Sequence, residues 1–205
     1  MKPALALSYG FPDGAMAKLA SHPDASGRIT SRDVYALEHL DLDLDDFGAL
    51  LISMHLDQRI LAGRAAQIES FLRQGGSVIA NGHIAYPFLP GMTGVHPLEN
   101  YGLRDLAVKR LVDHPIWAGV SENDLTFRRG VAGFYGRAWH HPPDGATVVH
   151  ALGEPDRPLD FIYPVGKGRV LFHGGNDLWQ YGAADSTGRI LPQLLRWMFF
   201  GERAE

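Results

Sequence analysis

The sequence predicts a three-layer α/β sandwich built on a mostly parallel sheet. Three observations carry this. Residues 48–80 read as strand, amphipathic helix and strand, a βαβ unit whose crossover requires parallel strands. The stretch "PLDFIYPVGKGRVLFHGG" reads as a late antiparallel hairpin, Leu159–Val165 and Arg169–Phe172 joined by Gly166-Lys167-Gly168. Residues 187–200 form a helix that is strongly apolar on one side, as a helix covering a sheet must be.

The elements follow in order. Ala4–Ser8 is a short apolar run and the first strand. Asp13 is placed to cap a short helix within "YGFPDGAMAKLA". Residues 22–33 are polar and turn-rich, and Val34–Leu37 is the candidate second strand. "GALLIS" (48–53) is a buried strand. Ile60, Leu61, Ala65, Ile68, Phe71 and Leu72 fall at helical spacing, and Gly75-Gly76 stop that helix. Ser77–Ala80 is the next strand. Prolines and glycines make 84–146 irregular, with a candidate strand at Val108–Val112 and another at Ala146–Leu152. Pro192 lies early in the last helix, where its missing N–H costs least. No repeat, linker or low-complexity segment interrupts the 205 residues, so one domain spanning 1–205 is expected.

Composition narrows the function. Hydrophobic residues are 45% and charged residues 20%, a globular balance that excludes disorder. The net charge of −4 provides no basic footprint, so neither nucleic acid nor an anionic membrane is an expected partner. No apolar run approaches a membrane span, and Tyr9, Pro12 and Asp13 interrupt the N-terminal run too early for a signal peptide. The expected compartment is the cytoplasm. Cysteine is absent, which excludes disulfides, thiolate metal sites and a cysteine nucleophile.

In open parallel sheets ligands bind beyond the carboxyl ends of the strands. That selects the loops after Ser8, Ser53, Ala80 and Phe172. They hold Tyr9, Phe11 and Asp13; Met54, His55 and Asp57; Asn81, His83 and Tyr86; and His173, Asn176, Asp177, Trp179 and Tyr181. The stretch "GGSVIANGH" (75–83) ends in a sharp turn of the kind that presents a Cys or Ser nucleophile in many α/β enzymes. Here Asn81-Gly82-His83 offers neither.

"DDFGALLIS", the helix, "FLRQGGSVIANGH", "DHPIWAGV" and "GKGRVLFHGGNDLWQY" occur in the order seen in the ThuA-like (trehalose-utilisation) branch of the class I glutamine amidotransferase-like superfamily. The chain resembles that branch from about residue 4 to 200. The resemblance implies a flavodoxin-like, glutamine amidotransferase-like sandwich and a role in carbohydrate utilisation. It places Phe172-His173 where the superfamily has its late histidine. Gly174-Gly175-Asn176-Asp177 follows in place of the Pro-Glu of the superfamily's motif. With no Cys, glutamine hydrolysis through a thioester is excluded, and members of the ThuA-like branch also lack that triad.

The candidate catalytic groups are His83, His173 and Asp177. Histidine titrates near neutrality and suits general acid–base work. Asp177 could hold His173 in one tautomer, as the acid of a triad does; it could equally be a cap in a glycine-rich turn. Tyr9, Asn81, Asn176 and Trp179 are the candidate ligand-binding residues, the aromatics for stacking on a sugar ring and the amides for its hydroxyls. For Trp139 packing is the better reading.

No metal or other cofactor is expected. His140 and His141 are adjacent and point to opposite faces of a strand, and ten histidines show no H-x-x-x-H spacing. His83, His173 and Asp177 could form a two-His-one-carboxylate site if their loops converge. "DLDLDD" (41–46) lacks the Gly and Glu of a calcium loop, and "GKGRV" lacks the spacing of a phosphate loop. His114-Pro115 is structural.

Three functions stay open. The first is a protein that binds a small polar, sugar-like ligand and transforms it by acid–base chemistry. The second is a non-catalytic binding or assembly module, whose C-terminal helix (Leu194, Trp197, Phe199, Phe200) could serve a partner or a homo-oligomer. The third is a metal-dependent hydrolase or isomerase.

Overall fold

The computed structural model describes residues 2–9, 14–25, 27–128, 130–181 and 184–201. Eight strands form the central sheet: β1 (Ala4–Ser8), β2 (Ile29–Asp33), β3 (Ala49–Ile52), β4 (Ser77–Asn81), β5 (Val108–Arg110), β6 (Thr147–Leu152), β7 (Pro158–Val165) and β8 (Gly168–His173). Their spatial order is β2-β1-β3-β4-β8-β7-β6-β5. The first five are mutually parallel. The β7–β8 hairpin then reverses direction, and β6 and β5 continue antiparallel.

The five helices are α1 (Gly14–Ser21), α2 (Gln58–Ala62), α3 (Ala65–Arg73), α4 (Glu122–Thr126) and α5 (Ile190–Phe200). Successive strand side chains point to opposite faces. Leu5, Leu7, Leu50, Ile52, Val78 and Val170 pack with Ile68, Phe71 and Leu72 of α3 on one face. Ala4, Ala6, Leu51, Ile79 and Leu171 pack with Leu19 of α1 and Leu194 and Leu195 of α5 on the other. Every residue of β1 and β3 is therefore buried. This is why those strands read as unbroken apolar runs rather than alternating ones.

Several elements differ from the sequence reading. The second strand is Ile29–Asp33, and Val34–Glu38 is a 3-10 turn. The strand lies at the sheet edge and exposes Thr30 and Ser31, which hid it among polar residues. Asp33 then caps the turn by accepting from the Tyr35 N–H, and Val34 and Leu37 are buried one turn apart. The helix expected over 60–72 is two helices broken at Gly63-Arg64. At the break the Arg64 guanidinium turns back to the carbonyls of Leu37 and Leu40. The expected strand at Val108–Val112 pairs only through Arg110. Asp13 and Phe11 lie outside the described residues. His114 is structural, its Nδ1 accepting from the Ile116 N–H at 3.3 Å. Among the described residues no helix is long and apolar enough to cross a membrane.

Leu171 is fully buried in β8, between β4 and β7. Leu171→Ala should cost about 2–5 kcal/mol, the range for a buried Leu-to-Ala cavity, read as a lower urea midpoint at unchanged slope.

Candidate functional site

Because β1, β3, β4 and β8 are parallel, their carboxyl ends open on one edge. The turn after β4 is a true elbow: Gly82 has φ +93°, and its N–H donates to the His173 carbonyl at 2.9 Å. A Cβ on Gly82 would lie 2.7 Å from the Met54 Cβ and 2.8 Å from its Cα. Both the left-handed backbone and the wall behind it exclude a side chain. The elbow has no room for a nucleophile unless the Met54 segment moves.

A cluster of buried titratable groups lies two strands away, around Asp160 of β7. Its carboxylate is fully buried. Oδ1 accepts from His173 Nδ1 of β8, and Oδ2 accepts from His150 Nδ1 of β6 at 2.7 Å. Oδ2 also accepts from the Tyr135 hydroxyl at 2.8 Å, and that hydroxyl accepts from Trp117 Nε1 at 2.8 Å. Burial alone would raise the Asp160 carboxyl. The two imidazoles outweigh it, through charge and hydrogen bonds, and hold the group well below the usual carboxylate range. Burial and then the Asp160 charge push the Tyr135 phenol up, so it remains a donor.

An ionised carboxylate only accepts, so both imidazoles present Nδ1–H to it. In a neutral ring Nε2 then carries the lone pair. His150 Nε2 receives the Arg110 Nε–H at 3.4 Å. His173 Nε2 is buried and has no hydrogen-bond partner among the described residues. It lies 2.9 Å from where a Cβ on Gly175 would sit. Gly175 borders a cleft of about 310 Å³, at the small end of ligand pockets. The side chains of Met54, His83, Phe134, Arg137 and Asn176 line it, with Gly133 and Gly136 beside Gly175. Any residue but glycine at 175 would drive its Cβ to 1.6 Å from the Tyr135 carbonyl oxygen.

His83 is half-buried at the cleft wall. Burial, then the neighbouring His173, lowers its pKa, and a hydrogen bond to the Gly174 backbone partly restores it. It is held from below by Gln58, whose Nε2 donates to the His83 carbonyl at 2.6 Å. The Gln58 Oε1 accepts from the N–H groups of Ala85 and Tyr86.

Four expected site residues, Asp177, Asn81, Trp179 and Tyr9, lie away from the cleft. Asp177 does not supply the carboxylate on His173 Nδ1; Asp160 does. Asp177 instead accepts from Ser53 Oγ at 2.7 Å and from the Met54 N–H at 2.8 Å. Asn81 is buried, donating to the Ile52 carbonyl and accepting from the Leu178 N–H. Asp177 ties the loop after β8 to the end of β3, and Asn81 ties the elbow to β3 and to that loop. Trp179 is wholly buried within the core beneath α5, so no sugar ring can reach its face. Tyr9 is exposed and packs edge-on against His55 at 5.6 Å. Asn176 lines the cleft with His83. Trp139 stacks on His96 at 4.4 Å, and His140 is buried while His141 is exposed. Among the described residues no three His, Asp or Glu side chains converge on a metal-sized site.

Sequence reasoning missed Asp160, His150, Tyr135 and Arg137. A usable signal existed for two. Asp160 is the one charged residue in the apolar run "PLDFIYPV", and His150 the one titratable residue in "TVVHAL". A buried polar group in a core strand is the informative anomaly.

A second hollow of about 380 Å³ lies at the opposite edge, by the amino ends of β3 and β4. Lys2, Asp43, Phe47, Gln67 and Ser70 are on its wall. It contains no histidine and no buried polar atom left unpaired.

No protein-family model matches this sequence, and no curated protein is significantly similar to it. Solved structures do match. Cytoplasmic protein STM3548 from Salmonella typhimurium superimposes with a TM-score of 0.64 at 11% identity, over 96% of this chain and 98% of that one. A glutamine amidotransferase from Thermotoga maritima superimposes with a TM-score of 0.62 at 16% identity, over 96% and 97%. The fold is glutamine amidotransferase-like. A β-galactosidase from Rahnella sp. R3 also contains it, with a TM-score of 0.55 at 13% identity; 97% of this chain matches 31% of that one.

Two measurements test the site. Asp160→Asn should destabilise the protein by about 1–3 kcal/mol or more, the cost of leaving a buried imidazole N–H or the Tyr135 hydroxyl without its acceptor, read by urea denaturation. The second concerns His140, whose pKa burial, then His83 and His96, push down to about 3. The unfolded value is about 6.5, so below that pH the unfolded chain takes up a proton that the folded chain refuses. Stability from this group is complete above about pH 6.5 and falls with pH toward 3. His140→Gln should flatten the stability profile between about pH 6.5 and 4.5 by up to about 1.4 kcal/mol per pH unit.

Proposed function

We propose that the cleft binds a small polar, sugar-like ligand and moves protons on it, with His173 Nε2 as base and His83 as its acid partner. The observation that carries this is the buried, unpartnered His173 Nε2. A buried nitrogen without a partner loses the hydrogen bond it would make in water. It lies behind Gly175, which borders a cleft that a second imidazole lines. Asp160 positions His173 as the acid of a triad positions its imidazole. The lowered pKa of His83 keeps that ring neutral near pH 7, able to give or take a proton. The order of motifs adds a ThuA-like affiliation, and with it a carbohydrate.

A non-catalytic module is the second reading. It is favoured by the elbow that leaves no space for a nucleophile, and by the occurrence of this fold as about a third of a larger chain. In that reading the exposed Phe200 end of α5 faces another copy.

Deuterium wash-in separates the two readings. The protein is incubated in heavy water with glucose, fructose and glucuronate, and exchange at the carbon next to the carbonyl is followed by proton NMR. Exchange should be catalysed and should fall by about 10²-fold or more in His173→Ala and in His83→Ala. Equal rates in the wild type and the double variant, or no exchange with any of the three, would contradict proton transfer and favour the module.

A further inference from the structure

We infer that the ligand is an anion, a small carboxylate or phosphate ester, and that Arg137 is the residue that selects it. The inference rests on the cleft being a ligand site, and adds the charge of what enters. The lining carries one cation and no carboxylate. The buried acids Asp160 and Asp177 are already engaged, Asp160 by His150, His173 and Tyr135 and Asp177 by Ser53 and Met54. Arg137 forms no ion pair among the described residues.

Its guanidinium is nonetheless held in place. Nε donates to the Gly133 carbonyl at 2.9 Å. A Cβ on Gly133, at φ +87°, would lie 2.8 Å from that Nε, so glycine at 133 is what lets the arm lie flat along the loop. Spending Nε on the loop leaves both Nη groups for a ligand. Two parallel N–H donors match the two oxygens of a carboxylate or phosphate. Asn176 adds an amide with no intramolecular hydrogen bond among the described residues, on the same cleft. An anion in the cleft thus meets the fixed positive charge of Arg137 and the imidazole of His83 on the same lining. A chain of net charge −4 attracts no anion by its overall field. Selection must then be local. The cleft has room for about ten waters, or a ligand the size of one monosaccharide.

The test uses the whole chain with three probes: glucuronate, glucose 6-phosphate and uncharged glucose, at constant ionic strength. Thermal shift reports binding, and the His83 ring resonances report where it occurs. Either anion should raise the melting temperature at millimolar concentration and move the His83 signals, while glucose does neither. Which anion does so distinguishes carboxylate from phosphate. Arg137→Gln, at an exposed position that leaves the core intact, should weaken the anion by about tenfold or more; Arg137→Lys should retain part of the affinity. If glucose moves His83 as strongly as the anions, or if R137Q binds them unchanged, the anion inference falls and the cleft remains a ligand site. A thermal shift from the anions without movement of His83 also overturns the inference. If no probe moves His83 or the melting temperature, the inference falls together with the cleft as a site for sugar-sized ligands.

Discussion

The Asp160 carboxylate is the constraint on which this half of the molecule depends. A bare carboxylate in a protein interior costs several kcal/mol, and it survives only with partners on its lone pairs. Asp160 has three, from three different segments: His150 on β6, His173 on β8 and Tyr135 in the irregular segment between α4 and β6. The antiparallel end of the sheet is thus fastened to the parallel end through one side chain. Trp117 extends the chain of donors to the 3-10 turn at Pro115–Trp117. The same bonds decide which nitrogen of each imidazole carries its proton. One carboxylate therefore sets both the packing and the acid–base state of the cleft.

The elbow after β4 keeps the shape of the amidotransferase-like fold but not its use. Gly82 abuts Met54, so the apex is closed to any side chain. Its N–H and the amide of Asn81 instead brace the ends of β8 and β3. The end of β8 holds His173 buried behind Gly175, which borders the cleft.

Much of this was legible from sequence. The parallel strands, the hairpin and α5 follow from runs of apolar residues whose period or length admits one reading. His83 and Asn176 line the cleft, on loops that the sheet rule selects. The edge strand Ile29–Asp33 was not, because an edge exposes polar side chains and loses the apolar signature. Asp177 and Trp179 were misplaced for a different reason. Sequence proximity to His173 suggested a pair, but β-strand pairing places Asp160 directly opposite His173 across the hairpin. A 3-10 turn then buries Trp179 under α5. Asp160 and His150 are far from the loops in sequence, and only the register of β6, β7 and β8 brings them there. Tyr135 and Arg137 lie in an irregular segment with no period to read.

The most direct measurement is the tautomer of His173, from long-range proton–nitrogen correlation of the imidazole near neutral pH. Asp160 as an ionised acceptor requires a proton on Nδ1, and a base at the cleft requires a bare Nε2. A ring protonated on Nε2, with Nδ1 unprotonated, would mean that the carboxylate does not hold it, and the base at the cleft would be lost.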